Sequence, residues 1–158
     1  MLLETLQIKE IHTPPYPMHL LLLADETVEA IEKYVYDSCV YSVWKDEEEL
    51  AVFCLYPHDA ACLEIKNIAV STAYQNQHIG SFLLEKIKEI ARQQNYQTLL
   101  VGTSDTGEAQ IRFYERNGFV LYDKRKNFFI DHYPEPIFEN GKQMIDMVLL
   151  KYTIGDKP

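Results

Sequence analysis

Between Ala61 and Val101 the hydrophobic period changes twice, and this restricts the fold more than any other feature of the chain. Ala61 to Val70 reads as a strand, with apolar Leu63, Ile65 and Ile68 followed directly by Ala69 and Val70. The break in alternation at Ile68-Ala69 predicts a bulge. From Ile79 the apolar residues fall at Ile79, Phe82, Leu83, Ile87, Ile90 and Ala91, which is one face of an amphipathic helix. Thr98 to Val101 is again a short buried strand. Strand, helix and strand in that order form a crossover, and strands joined by a crossover lie parallel.

The flanking segments read differently. Asp25 is a cap for a short helix from Glu26 to about Tyr34. Cys39 to Trp44 and Leu50 to Tyr56 are β-rich runs separated by Lys45-Asp46-Glu47-Glu48, a hairpin signal. Glu108 to Asn117 is a helix stopped by Gly118 in the left-handed region. Phe119 to Asp123 begins a further strand, Asp131 to Gly141 is a proline-punctuated loop, and Met144 to Tyr152 alternates as the last strand. The class is α/β with one mixed sheet; so many hairpins in the first half exclude a doubly wound fold. At 158 residues the chain is expected to be one domain, 1–158.

Charge and composition exclude several functions. Fifteen basic against twenty-four acidic residues give a net charge of -9, which disfavours nucleic acid and favours a cationic substrate through long-range steering. No apolar run of about 18 residues exists and no signal peptide is framed, so no membrane role is expected and the cytoplasm is the default location. Cys39, Cys54 and Cys62 lack CxxC spacing and sit in apolar surroundings, as buried inert thiols do. The five histidines make no ligand pattern, so no metal is expected.

The polar stretch before the central helix is Gln75-Asn76-Gln77-His78-Ile79-Gly80-Ser81. The helix begins near Gly80, and its first N–H groups have no intrahelical partner, which makes an anion site at the mouth of the crossover. Gly80 permits close backbone approach and Ser81 adds a hydroxyl. A Walker loop is excluded, because no GK[ST] follows. Downstream, Arg112-Phe113-Tyr114-Glu115-Arg116-Asn117-Gly118-Phe119 sets an aromatic pair just before a helix end.

Taken together, YQNQHIGSFLLEKI, the crossover and RFYERNGF resemble the GNAT superfamily of acyl-CoA N-acyltransferases. That family's loop reads Q/R-x-x-G-x-G/A, and His78 stands at the first glycine. The two motifs cover about Leu63 to Phe119, and the element order extends the resemblance over nearly the whole chain. DHYPEPIFENG, Asp131 to Gly141, also resembles a signature of one bacterial subgroup.

The resemblance implies a three-layer fold: a mostly antiparallel twisted sheet, helices on both faces, and one parallel strand pair splayed at the acyl-CoA site. It implies acetyl-CoA as cosubstrate, with backbone N–H groups from Gln75, Asn76, Gln77, His78, Ile79, Gly80 and Ser81 holding the pyrophosphate. Ile68, Ala69 and Val70 would meet the pantetheine arm and the acyl oxygen. Tyr114 would be the general acid and Glu64 the base. Asp105 and Glu108 are further candidates for the base, and no Asn stands in Ser104-Asp105-Thr106-Gly107 for an Asn-mediated contact. Tyr133, Glu135 and Glu139 would border the site of an amine on a small molecule or peptide.

Several residues keep a second reading. Tyr114 is equally a packed aromatic beside Phe113, and Glu64 a solvent-facing strand residue. The Asp131–Gly141 loop also suits packing over the sheet or a homodimer contact. His78 either donates only its backbone or adds its ring to a phosphate. A CoA-binding sensor without chemistry is the alternative to an N-acetyltransferase.

Overall fold

The computed structural model describes residues 2–155. In chain order come α1 (Leu2–Thr5), β1 (Gln7–Ile11), α2 (Met18–Leu21), α3 (Val28–Glu32), β2 (Cys39–Lys45), β3 (Glu48–Pro57) and β4 (Cys62–Val70). Then follow α4 (Ile79–Gln93), β5 (Thr98–Ser104), α5 (Glu108–Arg116), β6 (Val120–Arg125), α6 (Phe128–Asp131), β7 (Phe138–Glu139), β8 (Lys142–Gln143) and β9 (Met147–Thr153). The main sheet has seven strands in the order β1-β2-β3-β4-β5-β9-β6, and β7-β8 form a separate hairpin. Only β4 and β5 pair in parallel; every other neighbouring pair is antiparallel.

β3 shows why the sheet must be covered twice. Leu50 to Leu55 are all buried, and successive side chains point to opposite faces. Ala51, Phe53 and Leu55 pack with Leu83, Leu84 and Ile87 of α4 on one face. Val52 and Cys54 pack with Leu20, Leu21 and Ile31 of α2 and α3 on the other. A buried Leu, Ile or Phe is worth roughly 1.5–3 kcal/mol. α4 has no side-chain N-cap bond, a lack that costs about 1 kcal/mol. Its buried Ile79, Leu83, Leu84 and Ile87 outweigh that several times over.

β4 carries the bulge, but at Lys66. Cys54 is paired with Asn67 and Leu55 with Ile65, so Lys66 is the extra residue. Ile68-Ala69 is regular: Ile68 and Val70 face the α4 side while Ala69 belongs to the α2–α3 side. Burial on both faces imitates a break in alternation. The parallel ladder runs from Cys62 opposite Thr98 only to Ile65 opposite Val101. Beyond it β4 stays with β3, while Gly102 to Ser104 of β5 stay with β9. The two strands therefore part just past the bulge.

A buried cation ties the two main helices together. Lys88 Nζ on α4 donates to the Asn117 carbonyl at 2.6 Å and to Glu85 Oε2 at 2.8 Å, and lies 4.3 Å from the Tyr152 ring centre. Asn117 is the C-cap of α5, where unpaired carbonyls and the helix dipole favour a positive charge. The Asn117 amide also donates to the Phe113 carbonyl at 2.8 Å and to Ser81 Oγ at 3.3 Å. Gly118 follows with φ 91°, and a Cβ there would stand 3.2 Å from Tyr152. The expected stop is therefore found, and it requires glycine.

Several expectations change. Thr27, not Asp25, caps the early helix by accepting from the Ala30 N–H at 3.1 Å, and that helix spans only Val28–Glu32. β1, at the sheet edge, was hidden because Gln7, Lys9 and Glu10 face solvent, as suits an edge strand. Cys39 is exposed and Cys62 half-buried; only Cys54 is fully buried. Among the described residues no helix is long and apolar enough to cross a membrane.

The loop before α4 passes through the left-handed region twice, at Asn76 (φ 64°) and His78 (φ 63°). Gly80 is not the residue with positive φ. Left-handed backbone costs a residue such as His about 1–2 kcal/mol, which glycine avoids while losing roughly 0.4–1 kcal/mol to chain entropy. His78→Gly is accordingly expected to raise stability by about 0.5 kcal/mol in urea unfolding. Lys88→Met leaves the Asn117 carbonyl without its charged donor and is expected to cost about 1.5–3 kcal/mol. An unchanged urea midpoint in Lys88→Met would show that the tie contributes nothing.

Candidate active site

Where β4 and β5 part, two cavities meet. The larger, about 670 Å³, runs along the start of α4 and the side of α5. It is lined by Ile68, Val70, Gln75, Asn76, His78, Ile79, Gly80 and Ser81, together with Phe113 and Tyr114. The smaller, about 270 Å³, lies between β4, β5, the α2–α3 connection and the β7–β8 hairpin. Ile68, Gln110 and Tyr114 belong to both walls. Tyr114 is thus the joint between them.

The larger cavity has the chemistry of an anion groove. Phe82 N–H bonds back to the His78 carbonyl at 3.1 Å, so the N–H groups of Ile79, Gly80 and Ser81 precede the first intrahelical bond and point out of the helix end. Gly80 keeps the groove open: a Cβ there would stand 3.1 Å from the Phe113 ring. Gln75 Nε2 donates to the Val70 carbonyl at 3.0 Å, closing the end of β4 onto the loop. Past Ile65, β4 has no partner on its β5 side, so alternate backbone groups of that edge face the gap. These features fit a phosphate-bearing, amide-rich cosubstrate. Gln77 and the Ala69 side chain do not line this groove; Gln77 is exposed and Ala69 belongs to the opposite core.

Tyr114 is 7% exposed and rests edge-on against Phe113 and Phe119, with ring centres 5.1 and 5.6 Å away. Burial pushes its phenol well above the ordinary value, so it stays protonated across the physiological range. Both readings of this residue hold together: it is packed, and it lines both cavities.

Glu64 lies elsewhere. It is 5% exposed, with Oε1 2.5 Å from His58 Nε2 and 3.4 Å from Lys66 Nζ, and it is absent from the walls of both cavities. Asp105 is exposed and accepts from the Ile145 N–H at 3.2 Å; Glu108 is exposed with Arg112 4.0 Å away. Neither lines either of these two cavities.

The smaller cavity gathers residues that sequence reading divided. Tyr133 and Glu139 line it, whereas Glu135 is exposed and does not. Asp25, Glu26, Asn67 and Gln110 join them. Asp25 accepts from Tyr34 at 3.0 Å and from Tyr133 at 2.7 Å. Burial, then the Asp25 charge, raises both phenols. Glu139 accepts from Thr106 Oγ1 at 2.8 Å. Glu26 is held above the usual carboxyl range by desolvation, then by Asp25 and by Glu139. Sequence reading had given Asp25 to a helix cap. Asn67 carried no distinctive signal, because β4 also holds the polar residues Glu64 and Lys66. Among the described residues no group of three or more His, Cys, Asp or Glu is placed to hold a metal ion.

Comparison with known proteins agrees with this geometry. The model of the acetyltransferase (GNAT) family matches residues 5–119. An uncharacterized N-acetyltransferase, YvbK, of Bacillus subtilis (strain 168) is 34% identical over 131 residues, covering 83% of this chain and 84% of that one. A GNAT family acetyltransferase from Elizabethkingia anophelis, solved with acetyl-CoA bound, superposes with a TM-score of 0.91 at 40% identity, over 95% of this chain and 99% of that one. A Bacillus subtilis acetyltransferase in complex with CoA gives 0.86 at 32% identity, over 94% and 98%. With the family model spanning well over half of its length, the chain belongs to the GNAT family of acetyltransferases.

Proposed function

We propose that the protein transfers the acetyl group of acetyl-CoA directly to the primary amine of a small molecule in the cytoplasm. The observation that carries this reading is the position of Tyr114, shared by an anion groove and an acidic pocket. Bound acetyl-CoA supplies an activated thioester. The N–H groups of residues 75–81 hold its pyrophosphate, with Ile79, Gly80 and Ser81 at the helix end contributing most. The unpaired edge of β4 at Ile68, Ala69 and Val70 binds the pantetheine amides and donates to the acyl oxygen. Tyr114 protonates the departing thiolate. Direct transfer is favoured because, among the described residues, no cysteine lines either cavity to carry the acetyl group.

Glu64 serves this reading from a distance. Its carboxylate meets Lys66, which lines the acceptor pocket, and lies outside the pocket wall itself, so any base action passes through water. An amine that arrives neutral needs no base. His78 contributes its left-handed backbone and its N-cap position.

Because burial raises the Tyr114 phenol, its proton is retained as pH rises to about 10. We expect kcat/KM to climb with pH as the acceptor ammonium deprotonates, with no falling limb from Tyr114 below about pH 10. Tyr114→Phe is expected to keep CoA affinity within about threefold and to lower kcat by roughly 10²–10⁴-fold; full turnover would remove Tyr114 as the acid. At a hundredfold excess over its Kd, acetyl-CoA should stabilise the protein by about 2.7 kcal/mol, or roughly 5–10 °C in Tm. Gly80→Trp, which fills the groove against Phe113, should lose that shift. An equal shift in both proteins contradicts the pyrophosphate assignment.

A further inference from the structure

Resting on that reading, we propose that the acceptor is a small diamine, whose second, protonated amine is held at the acidic end of the pocket while the reacting amine faces Tyr114. Three carboxylates, Asp25, Glu26 and Glu139, line a cavity of only about 270 Å³. The single lysine in its wall, Lys66, lies 3.4 Å from Glu64, which is outside the cavity. Among the described residues no ion pair joins Lys66 to Asp25, Glu26 or Glu139. Their mutual crowding is visible at Glu26, whose carboxyl is raised by desolvation and then by Asp25 and Glu139. A bound ammonium relieves that crowding.

A second observation points to a donor-rich occupant. Asn67, in the same wall, is 3% exposed, and its Oδ1 is a buried polar atom without a hydrogen-bond partner. Its amide nitrogen donates to the Leu21 carbonyl at 3.0 Å and to Tyr34 Oη at 3.1 Å. The Leu21 carbonyl only accepts, and the Tyr34 hydroxyl gives its proton to Asp25. Both partners therefore require the nitrogen, and the oxygen is left for a ligand. Leaving a buried acceptor unpaired costs about 1–3 kcal/mol. An ammonium, with three donors and no acceptor, suits one amide oxygen among carboxylates.

Position separates this end of the pocket from the chemistry. Tyr114 packs in the core on the α4 side of the sheet, whereas Asn67 and the Asp25 partner Tyr34 belong to the α2–α3 side. An amine held by Asp25 and Asn67 is thus at the α2–α3 end of the cavity, with Tyr114 at its other end. A monoamine drawn to the acids would sit away from the acetyl group. A diamine spans both ends, and Ile68, Phe129, Met144 and Met147 provide an apolar wall for its methylenes.

The test compares 1,4-diaminobutane and 1,5-diaminopentane with n-butylamine and n-pentylamine, by CoA release and by thermal shift in the presence of CoA. We expect kcat/KM for the diamines to exceed that for the monoamines at least tenfold, beyond the twofold due to two reactive ends. Glu26→Gln and Glu139→Gln should each raise the diamine KM about tenfold and shrink that ratio, with Glu26→Asp restoring part of it. Equal turnover of diamines and monoamines overturns the proposal and leaves acetyl transfer intact. Should no amine be turned over, a Tm rise with 1,4-diaminobutane that n-butylamine lacks and Glu26→Gln abolishes upholds the diamine site. Transfer would then be the part that fails. No diamine-selective turnover or stabilisation overturns the proposal.

Discussion

The parallel ladder between β4 and β5 stops at Ile65 and Val101, and the site exists because it stops there. Each strand has a reason to leave. β4 shifts register at Lys66 and follows β3; β5 follows β9 through Gly102, Thr103 and Ser104. On that stretch Gly102 makes room for Met147, since a Cβ there would lie 2.5 Å from the Met147 sulfur. The gap exposes strand edge that would otherwise be consumed in a ladder. It also leaves room for a cavity whose wall draws residues from both faces of a sheet that is packed elsewhere by side chains such as Phe53 and Val52.

A gap alone does not aim a side chain. Tyr114 is aimed by α5, and α5 is held at its C-terminal end by Lys88 and Asn117. Asn117 reaches on to Ser81 in the first turn of α4, so the anion groove and the phenol share one set of polar ties. Charged hydrogen bonds of this kind are worth about 1.5–3 kcal/mol. That is small beside the α4 burial but directional, which burial is not. Packing decides that α4 lies on the sheet; Lys88 decides how α5 sits against it.

What could be read from the sequence was what periodicity encodes. The α4 stripe, the parallel crossover and the Gly118 stop are local patterns, and the structure has them. The bulge was misplaced because a strand buried on both faces has no alternation to read. Asp25, Glu26, Asn67 and Glu139 come from three distant segments and meet only after folding. The acidity that three of them share was diluted in a net charge of -9, and Asn67 carries no charge at all. Glu64 is the reverse case: its place on β4 was legible, but the pairing of its carboxylate with His58 and Lys66 was not.

Tyr114, Gln110 and Ile68 form a partition with a chamber on each side. On the proposed assignment of cosubstrate to one chamber and acceptor to the other, neither has to pass through the other's room. That assignment would be consistent with a random order of arrival. Inhibitors built for one chamber would leave the other free to fill, and a molecule threading both would have to cross the sheet.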